Sequence, residues 1–502
     1  MRRALAGLCA ALCLGAAAPA FAAHSLRIGI ADDGVLFNDP DAATVVAQWK
    51  ALGIDVARVH VRWVSVAPAT RSRRPPKHFD QWNPNDPRYR WGSVDHAIAL
   101  LVDAGIEPIL SVTGSGPLWS SSNPSLHNPR WRPNPRRFAA FAAAVARRYG
   151  DVVNDYIIWN EPDQAGWLQP QFSCRGSRCT PESPHIYRHL VNAAGPEIRR
   201  WDRTSEVLAG ALAPRGSDPR SRNSAMRPLT FLRAFGCVNA RYHRMVHGRC
   251  AGFHAPVIDG ISYHPHGVLR SPSQRNPQRD EAAFADLGRL EFVIDHVADA
   301  GGMTCTCTGP IPIHLTEFGY QTNPPDPYQG VSPALQARWL QEAGYRAWLD
   351  PRIKTLVQYE WRDDPVQDKG GGASAYGGWQ SGLLYADDRP KPALTAFANP
   401  FFVDAQPGSA SVTLWGQVRP GGAHDVSIER RLPGRSWRTL ETVETDAFGA
   451  FTTQLDLPGL AELRFAYVPD QPARARATAS QPVTVRRSIG VLPPRAKKGT
   501  VP

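Results

Sequence analysis

The chain has 502 residues, of which 42% are hydrophobic, and a formal net charge of +12 at pH 7. Beyond the N-terminal segment no run of about 20 apolar residues occurs, which argues against an integral membrane segment. The arginines are not grouped into a known nucleic-acid-binding module, so a nucleic-acid partner is disfavoured, whereas a basic surface could favour an anionic polysaccharide or envelope or take no part in binding.

Residues 1–22 have the pattern of a secretory signal peptide. Arg2 and Arg3 precede an apolar run that continues to Ala18, and Ala20-Phe21-Ala22 is the small-x-small sequence typical of a cleavage site. We therefore expect cleavage after Ala22 and a secreted mature protein, extracellular or periplasmic.

A mature chain of about 480 residues exceeds what one ordinary hydrophobic core supports, which predicts two domains. Residues 23–402 alternate short apolar runs with helix-length segments, and residues 403–488 contain short alternating strands between turn signals. Residues 489–502 are polar, basic and proline-rich, which predicts a disordered tail.

The first domain contains eight strand candidates. They are Leu26–Ile30, Val56–Arg62, Glu107–Thr113, Val153–Asn160, Val207–Ala213, Ile258–His264, Ile311–Phe318 and Lys354–Trp361. Amphipathic stretches such as Arg136–Tyr149 and Leu287–Ala300 lie between them at helical spacing. Eight strand–helix repeats predict an α/β fold, a parallel (β/α)8 TIM barrel with insertions.

The second domain contains five strand candidates separated by turns such as Pro433-Gly434. They are Ser411–Val418, Asp425–Arg431, Trp437–Glu444, Ala450–Leu455 and Glu462–Val468. Apolar residues alternate along them, as expected for half-buried antiparallel sheets. We predict a small all-β sandwich, immunoglobulin-like or fibronectin-like.

Six cysteines remain after the signal peptide, an even number that predicts disulfides in an oxidising compartment. They are Cys174, Cys179, Cys237, Cys250, Cys305 and Cys307. The local pairs 174 with 179 and 237 with 250 are the simplest, whereas Cys305 and Cys307 could bridge to other loops. No spacing resembles a zinc site with paired CxxC halves.

Two glutamates follow apolar strand candidates in the first domain. The segment Ile157–Glu161 ends with Glu161, and the next residue, Pro162, cannot continue a sheet ladder. Glu317 lies near the end of the second segment, Ile313–Phe318. Because barrel enzymes place catalytic groups at the carboxyl ends of strands, we expect both carboxylates at one rim. Glycoside hydrolysis needs such a pair, and a separation of about 5–5.5 Å belongs to the retaining mechanism.

Asn160-Glu161-Pro162 on strand four, together with Thr316–Gly319 on strand seven, resembles glycoside hydrolase clan A, closest to families 39 and 5, over almost the whole first domain. Further matches are Arg58 on strand two, Ile261–His266 on strand six, Trp361 on strand eight, and Gly382–Leu384 through Lys391–Ala393 at the closing helix.

The resemblance implies a role for each matched residue. Glu161 would be the acid/base and Glu317 the nucleophile, supported by Arg58. Asn160 would bind the sugar 2-hydroxyl, a contact that strengthens in the oxocarbenium-like transition state. Tyr263 or His264 would lie beside the nucleophile, and Trp361 would form the floor of the sugar site.

Several alternatives stay open. Trp119 follows strand three and could stack on a sugar ring or serve as a packing tryptophan. His264-Pro265-His266 with Asp363-Asp364 could suggest a metal-dependent hydrolase, although such enzymes carry the His-x-His pair on strand one, where this chain has Asp32-Asp33. A barrel that binds glycan without cleaving it is the third reading.

The sequence thus favours a secreted, retaining glycosidase acting by double displacement on an extracellular or envelope polysaccharide or glycoconjugate, with β-linkage expected. We expect no cofactor and no metal. The loops Trp167–Pro184 and His266–Arg279 should set specificity.

Overall fold

The computed structural model describes residues 26–367, 371–405, 411–456, 460–468 and 478–485. The expected signal peptide and the expected C-terminal tail lie outside these residues. Within the described ranges, no helix is both long and apolar enough to cross a membrane.

Eight parallel strands close into a barrel, so the predicted (β/α)8 fold is confirmed. The strands are β1 Arg27–Ala31, β2 Val56–Arg62, β3 Glu107–Thr113, β4 Asp155–Ile158, β5 Glu206–Leu212, β6 Gly260–Tyr263, β7 Ile313–Phe318 and β8 Ile353–Tyr359. They follow one another around the barrel in chain order, and β1 closes it by pairing with both β2 and β8.

Helices connect and surround the strands. The α-helices are Asp33–Asn38, Ala42–Ala51, Trp63–Val66, Gly92–Asp103, Pro135–Tyr149, Ser183–Trp201, Pro228–Phe235, Leu287–Asp299, Pro333–Leu349 and Pro392–Ala398. Short 3-10 turns are Leu118–Ser120, Pro124–Leu126, Gly248–Cys250, Phe284–Asp286 and Gly372–Tyr376. Two-residue strands Val257–Ile258 and Thr304–Cys305 pair with each other, as do Phe172–Arg175 and Arg178–Pro181.

The alternation of side chains along β2 explains which residues enter the barrel. Ala57, Val59 and Val61 belong to the hydrophobic layer shared with the helices, whereas Val56 belongs to the layer inside the barrel. Since successive side chains of a strand point to opposite faces, Arg58 points inward with Val56. The sequence therefore positions a buried arginine inside the barrel.

A local irregularity at the end of β7 positions its glutamate. Ile313 and Leu315 belong to the layer against the helices, so strict alternation would turn Glu317 to that side as well. The pairing of β7 with β8 shifts register between Leu315 and Phe318. Bulges of this kind re-aim side chains next to active sites, and here Glu317 lines the cleft at the carboxyl ends of the strands.

The second part of the chain forms two antiparallel sheets, as the predicted all-β unit requires. Its strands are β9 Phe401–Asp404, β10 Ser411–Gln417, β11 Asp425–Arg431, β12 Arg438–Glu444, β13 Ala450–Asp456, β14 Ala461–Tyr467, β15 Thr478–Ala479 and β16 Val483–Val485. One sheet has the order β9-β10-β13, and the other has the order β12-β11-β14-β15, with β16 also on β14. The short strands β9, β15 and β16 were not predicted.

The sandwich packs against the side and the amino-terminal end of the barrel. Trp415 of β10 is buried against Tyr345 and Trp348 of the helix Pro333–Leu349. Phe448 lines a cavity together with Arg27 and other residues at the amino ends of the barrel strands. The second domain thus lies away from the rim that carries Glu161 and Glu317.

Three disulfides form within the described residues. Cys174–Cys179 and Cys237–Cys250 are the two local pairs expected from the sequence. Cys305 bridges Cys307 and not another loop, with a Cα–Cα distance of 5.1 Å.

Candidate active site

A cleft with a volume of about 560 Å³ opens at the carboxyl ends of the barrel strands. Asn160, Glu161 and Glu317 line it, together with residues that follow β1, β2 and β8. The two glutamates expected to meet at one rim therefore share one cavity.

The backbone that presents Glu161 is unusual. Trp159 and Glu161 both have positive φ, 71° and 36°, in the left-handed region that non-glycine residues rarely adopt. The segment is held by neighbouring strands, because Trp159 N–H donates to Val112 O and Glu161 N–H donates to Ala211 O, each at 2.9 Å. The Trp159 ring lies where a Cβ on Gly114 would come within 2.2 Å, so Gly114 makes room for it.

Arg58 connects the residues around the second carboxylate. Its Nη1 donates to Glu317 Oε1, its Nη2 donates to Asn160 Oδ1 at 2.5 Å, and its Nε donates to Ser111 Oγ at 2.8 Å. The Arg58 side chain is 1% exposed, so its charge is little screened by solvent. Arg58 thereby fixes the orientation of Glu317 and Asn160.

His264, at the end of β6, lies between the two glutamates. Its Nδ1 is 3.1 Å from Glu161 Oε1 and 3.4 Å from Glu317 Oε2. Burial lowers the pKa of His264 well below its usual value, so the ring is neutral at neutral pH. His266 also lies near the second glutamate, with its Nε2 3.6 Å from Glu317 Oε2.

The pKa values of the two carboxyl groups are shifted in opposite directions. Burial and then the charge of Glu317 raise the pKa of Glu161 to about 7. Burial also acts to raise the pKa of Glu317, but His264 and the permanent charge of Arg58 outweigh it and hold that pKa well below the usual value. Between these pKa values Glu317 is ionised while Glu161 keeps its proton.

The separation of the carboxylates is short. One oxygen of Glu161, one oxygen of Glu317 and a ring nitrogen of His264 all lie within 4.8 Å of one another. This is close to the separation of about 5–5.5 Å in double-displacement sites and well below the roughly 6.5–9.5 Å of sites that place a water between the carboxylates.

The same three residues could in principle surround a metal ion. Arg58, however, already donates to Glu317, and a fixed guanidinium there opposes a second cation. Asp363, which the metal hypothesis invoked, accepts a hydrogen bond from Lys391 Nζ at 2.6 Å and is 3% exposed. The arrangement fits acid–base chemistry between two carboxyl groups better than metal chemistry.

Five residues named from the sequence lie outside the cleft lining, and two of them, Arg58 and His264, still contact the glutamates that line it. Trp119 is buried, donates from Nε1 to Pro68 O at 3.0 Å and packs edge-on against Trp63. The Tyr263 hydroxyl donates to Ala282 O at 2.7 Å in the protein interior. Trp361 is 3% exposed and packs edge-on against Trp49.

Other aromatic residues line the cleft instead. Trp167, from the loop after β4, stacks on His60 with ring centroids 5.8 Å apart, and Arg62 lies over the same ring at 5.7 Å. Trp379 packs against Tyr359 with ring centroids 5.5 Å apart and perpendicular planes. The loop that begins at Trp167 was expected to set specificity, but Trp167 itself was not predicted to line the cleft. Trp379 lies 20 residues beyond the last barrel strand, where no periodic pattern leads to it.

Among known proteins, only solved structures resemble this chain. No protein-family model matches the chain, and no curated protein matches it. Solved structures with a similar fold include a β-glucuronidase of Bacteroides uniformis, at 12% identity and a TM-score of 0.40 over 92% of this chain. A psychrophilic family 10 endo-β-1,4-xylanase matches at 13% identity and a TM-score of 0.42. The match covers 74% of this chain and 96% of the xylanase.

An endo-1,4-β-mannanase from Rhizomucor miehei matches at 13% identity and a TM-score of 0.38, covering 67% of this chain and 86% of its own. The chain spans 46% of the length of the β-glucuronidase. Identities of 13% or less and TM-scores below 0.5 assign neither a family nor an activity to this chain.

Proposed function

We propose that this protein is a retaining glycoside hydrolase that cleaves β-linked glycans by double displacement. The observation that carries the proposal is the pair Glu161 and Glu317, which line one cleft with carboxylate oxygens within 4.8 Å and with oppositely shifted pKa values. Two carboxyl groups in one site whose environments separate their pKa values are the usual sign of a divided acid and nucleophile role.

In the first step, ionised Glu317 attacks the anomeric carbon and forms a glycosyl ester, while protonated Glu161 gives its proton to the departing glycosidic oxygen. In the second step, Glu161, now a carboxylate, takes a proton from water. The resulting hydroxide equivalent attacks the anomeric carbon, the ester bond to Glu317 breaks, and the sugar leaves with its original configuration.

The neighbouring residues suit these steps. Arg58 keeps Glu317 ionised and oriented, and it also holds Asn160 beside the reacting centre. Asn160 would hydrogen-bond the sugar 2-hydroxyl, where a contact gains strength as charge develops on the ring. Trp167 and Trp379 offer aromatic faces for sugar rings within the same cleft.

Three disulfides support a protein that works in an oxidising compartment, in keeping with the expected signal peptide. We therefore place the substrate outside the cytoplasm, as an extracellular or cell-envelope polysaccharide or glycoconjugate.

The direct test is a panel of aryl β-glycosides and plant, bacterial and animal polysaccharides, with the anomeric configuration of early products read by NMR. Hydrolysis with a product of retained configuration is expected. A product of inverted configuration, or no cleavage across the panel, would contradict the proposal.

A further inference from the structure

A second cavity opens at the carboxyl ends of the barrel strands and takes no part in the chemistry described above. Its volume is about 360 Å³, within the range of about 300–1,000 Å³ that is typical of ligand pockets. The loop after β5 contributes Arg215, and the loop after β6 contributes the other lining residues, among them His266, Arg270, Gln274 and Asn276. Within the described part of the chain, two arginines and no aspartate or glutamate thus line this arginine cavity.

Both arginines are anchored next to the segments that carry the two glutamates. Arg215 O accepts a hydrogen bond from Gln164 Nε2 at 3.0 Å, and Gln164 is three residues beyond the glutamate that follows β4. Arg270 O accepts from the Tyr320 hydroxyl at 2.9 Å, and Tyr320 is three residues beyond the glutamate of β7. The Arg270 N–H also donates to Gly267 O at 3.0 Å, which closes a turn at the cavity. The arginine cavity therefore adjoins the catalytic pair.

His266 lies between the arginine cavity and the cleft. Its Nε2 is 3.6 Å from Glu317 Oε2, and its ring centroid is 4.6 Å from that of Trp379, which lines the cleft. The cleft extends over β8, β1 and β2, the arginine cavity lies over β5 and β6, and the two glutamates belong to β4 and β7 between them. A glycan that lies across the glutamates can therefore reach both cavities.

The acidic side chains of the two loops, residues 213–227 and 264–286, already form ion pairs with other arginines. The pairs are Asp218 with Arg227 at 2.8 Å, Glu281 with Arg227 at 3.7 Å, Asp280 with Arg233 at 2.8 Å and Asp286 with Arg289 at 3.1 Å. Arg215 and Arg270 have no such partner among the residues that the structure describes. Two guanidinium groups in one cavity repel each other, and an anion that binds between them relieves this repulsion.

We propose, on the basis of the proposed function, that the arginine cavity is a subsite for a carboxylate or sulfate group of the glycan, so that the substrate is an acidic polysaccharide or glycoconjugate. Guanidinium groups bind such oxyanions through paired, charge-assisted hydrogen bonds. The Gln274 amide offers a donor and an acceptor for a neighbouring sugar hydroxyl. The formal net charge of +12 acts in the same direction, because it attracts an anionic chain to the protein.

The test measures binding separately from cleavage, in the Glu317→Gln protein, by calorimetry at physiological ionic strength. The probes are hyaluronan, carboxymethyl cellulose, polygalacturonate and chondroitin sulfate, each paired with its methyl-esterified or desulfated form. The double variant Arg215→Gln/Arg270→Gln is compared with the control Arg220→Gln/Arg279→Gln. The control also removes one arginine from each loop, and both of its residues are exposed and lie outside the cavity lining, so the two variants lose the same charge.

At least one acidic glycan should bind at least about 10-fold more tightly than its neutralised form. Loss of affinity on methyl esterification would identify a carboxylate as the bound group, and loss on desulfation would identify a sulfate. Arg215→Gln/Arg270→Gln should weaken binding of that acidic glycan by about 10- to 100-fold and leave binding of the neutralised form unchanged. Arg220→Gln/Arg279→Gln should weaken it by no more than about twofold, because salt screens exposed charges outside the site.

Equal weakening by the two double variants would show only diffuse attraction to a basic surface and would overturn the inference. Equal affinity for acidic and neutralised glycans, or no binding of any acidic glycan, would overturn it as well, while the glycosidase proposal stands if neutral glycosides are cleaved with retention. If wild type cleaves no glycoside, the proposed function fails, and selective loss of acidic-glycan binding in Arg215→Gln/Arg270→Gln still upholds the site. The single variants, each expected to show part of the loss, decide the question if the double variant does not fold.

Discussion

Arg58 and Glu317 form a buried ion pair at the bottom of the cleft, on strands β2 and β7 that lie on different sides of the barrel. The guanidinium holds the carboxylate of Glu317 and the amide of Asn160 at the same time. Arg58, fixed inside the barrel, thus helps to keep Glu317 ionised, as the proposed chemistry requires.

Arg58→Met should lower kcat by at least about 100-fold and move the acidic limb of the pH–activity profile to higher pH. The sign follows from the environment of Glu317. Burial acts to raise its pKa, and the neighbouring His264 and the permanent charge of Arg58 act to lower it, so removing Arg58 lets that pKa rise and activity then needs a higher pH. Arg58→Lys, which keeps the charge but not the three hydrogen bonds, should lower kcat with a smaller shift. An unmoved acidic limb in Arg58→Met would contradict the role assigned to Arg58.

The alkaline limb should report Glu161. Because burial and the charge of Glu317 raise the pKa of Glu161 to about 7, kcat/KM should fall as the pH rises through that value and the acid loses its proton. The limb is measured with an aryl glycoside whose leaving group needs protonation. In Glu161→Ala, assayed on a substrate with a highly activated leaving group, this limb should be absent. Its persistence would assign it to another residue.

Glu161→Ala should separate substrates by their leaving groups. Departure of an activated phenolate needs little proton donation, so the glycosylation step on such substrates should be nearly unaffected, whereas natural linkages should lose most of their rate. Added azide should restore the second step, since this anion attacks without a general base. Equal losses on both substrate types, with no azide rescue, would show that Glu161 is not the acid/base.

The second domain should contribute stability and not catalysis. Trp415 packs against Tyr345 and Trp348 and is 1% exposed, so Trp415→Ala should destabilise the protein by about 3–5 kcal/mol. Because this contact lies away from the cleft, activity per folded molecule on small aryl glycosides should stay near that of wild type. The measurement pairs thermal unfolding with active-site titration. A folded Trp415→Ala protein with a strongly reduced kcat would show that the sandwich helps build the site.

The strands whose apolar residues form regular or continuous runs were predictable from the sequence. Alternating or continuous apolar runs identified all eight barrel strands, and the apolar runs that end at Glu161 and Glu317 pointed to the rim. The resemblance to the clan added Arg58, Asn160 and His264, which the structure brings together around the two glutamates.

What the sequence did not indicate depends on loops and on local departures from regular structure. The bulge that turns Glu317 inward breaks the alternation on which strand predictions rely. Trp361 could not be distinguished from Trp379 as the cleft tryptophan, because the loop that brings Trp379 back over Tyr359 has no periodic signal.

The central claim is that Glu317 is the nucleophile. It is tested most directly by incubating the protein with a 2-deoxy-2-fluoro glycoside that carries a good leaving group and has the configuration of the preferred substrate, followed by mass spectrometry of the proteolytic peptides. We predict one fluoro-sugar per molecule, attached to the peptide that contains Glu317, and no labelling of Glu317→Gln. A label on Glu161 or any other carboxylate, or turnover by Glu317→Gln close to that of wild type, would contradict the account.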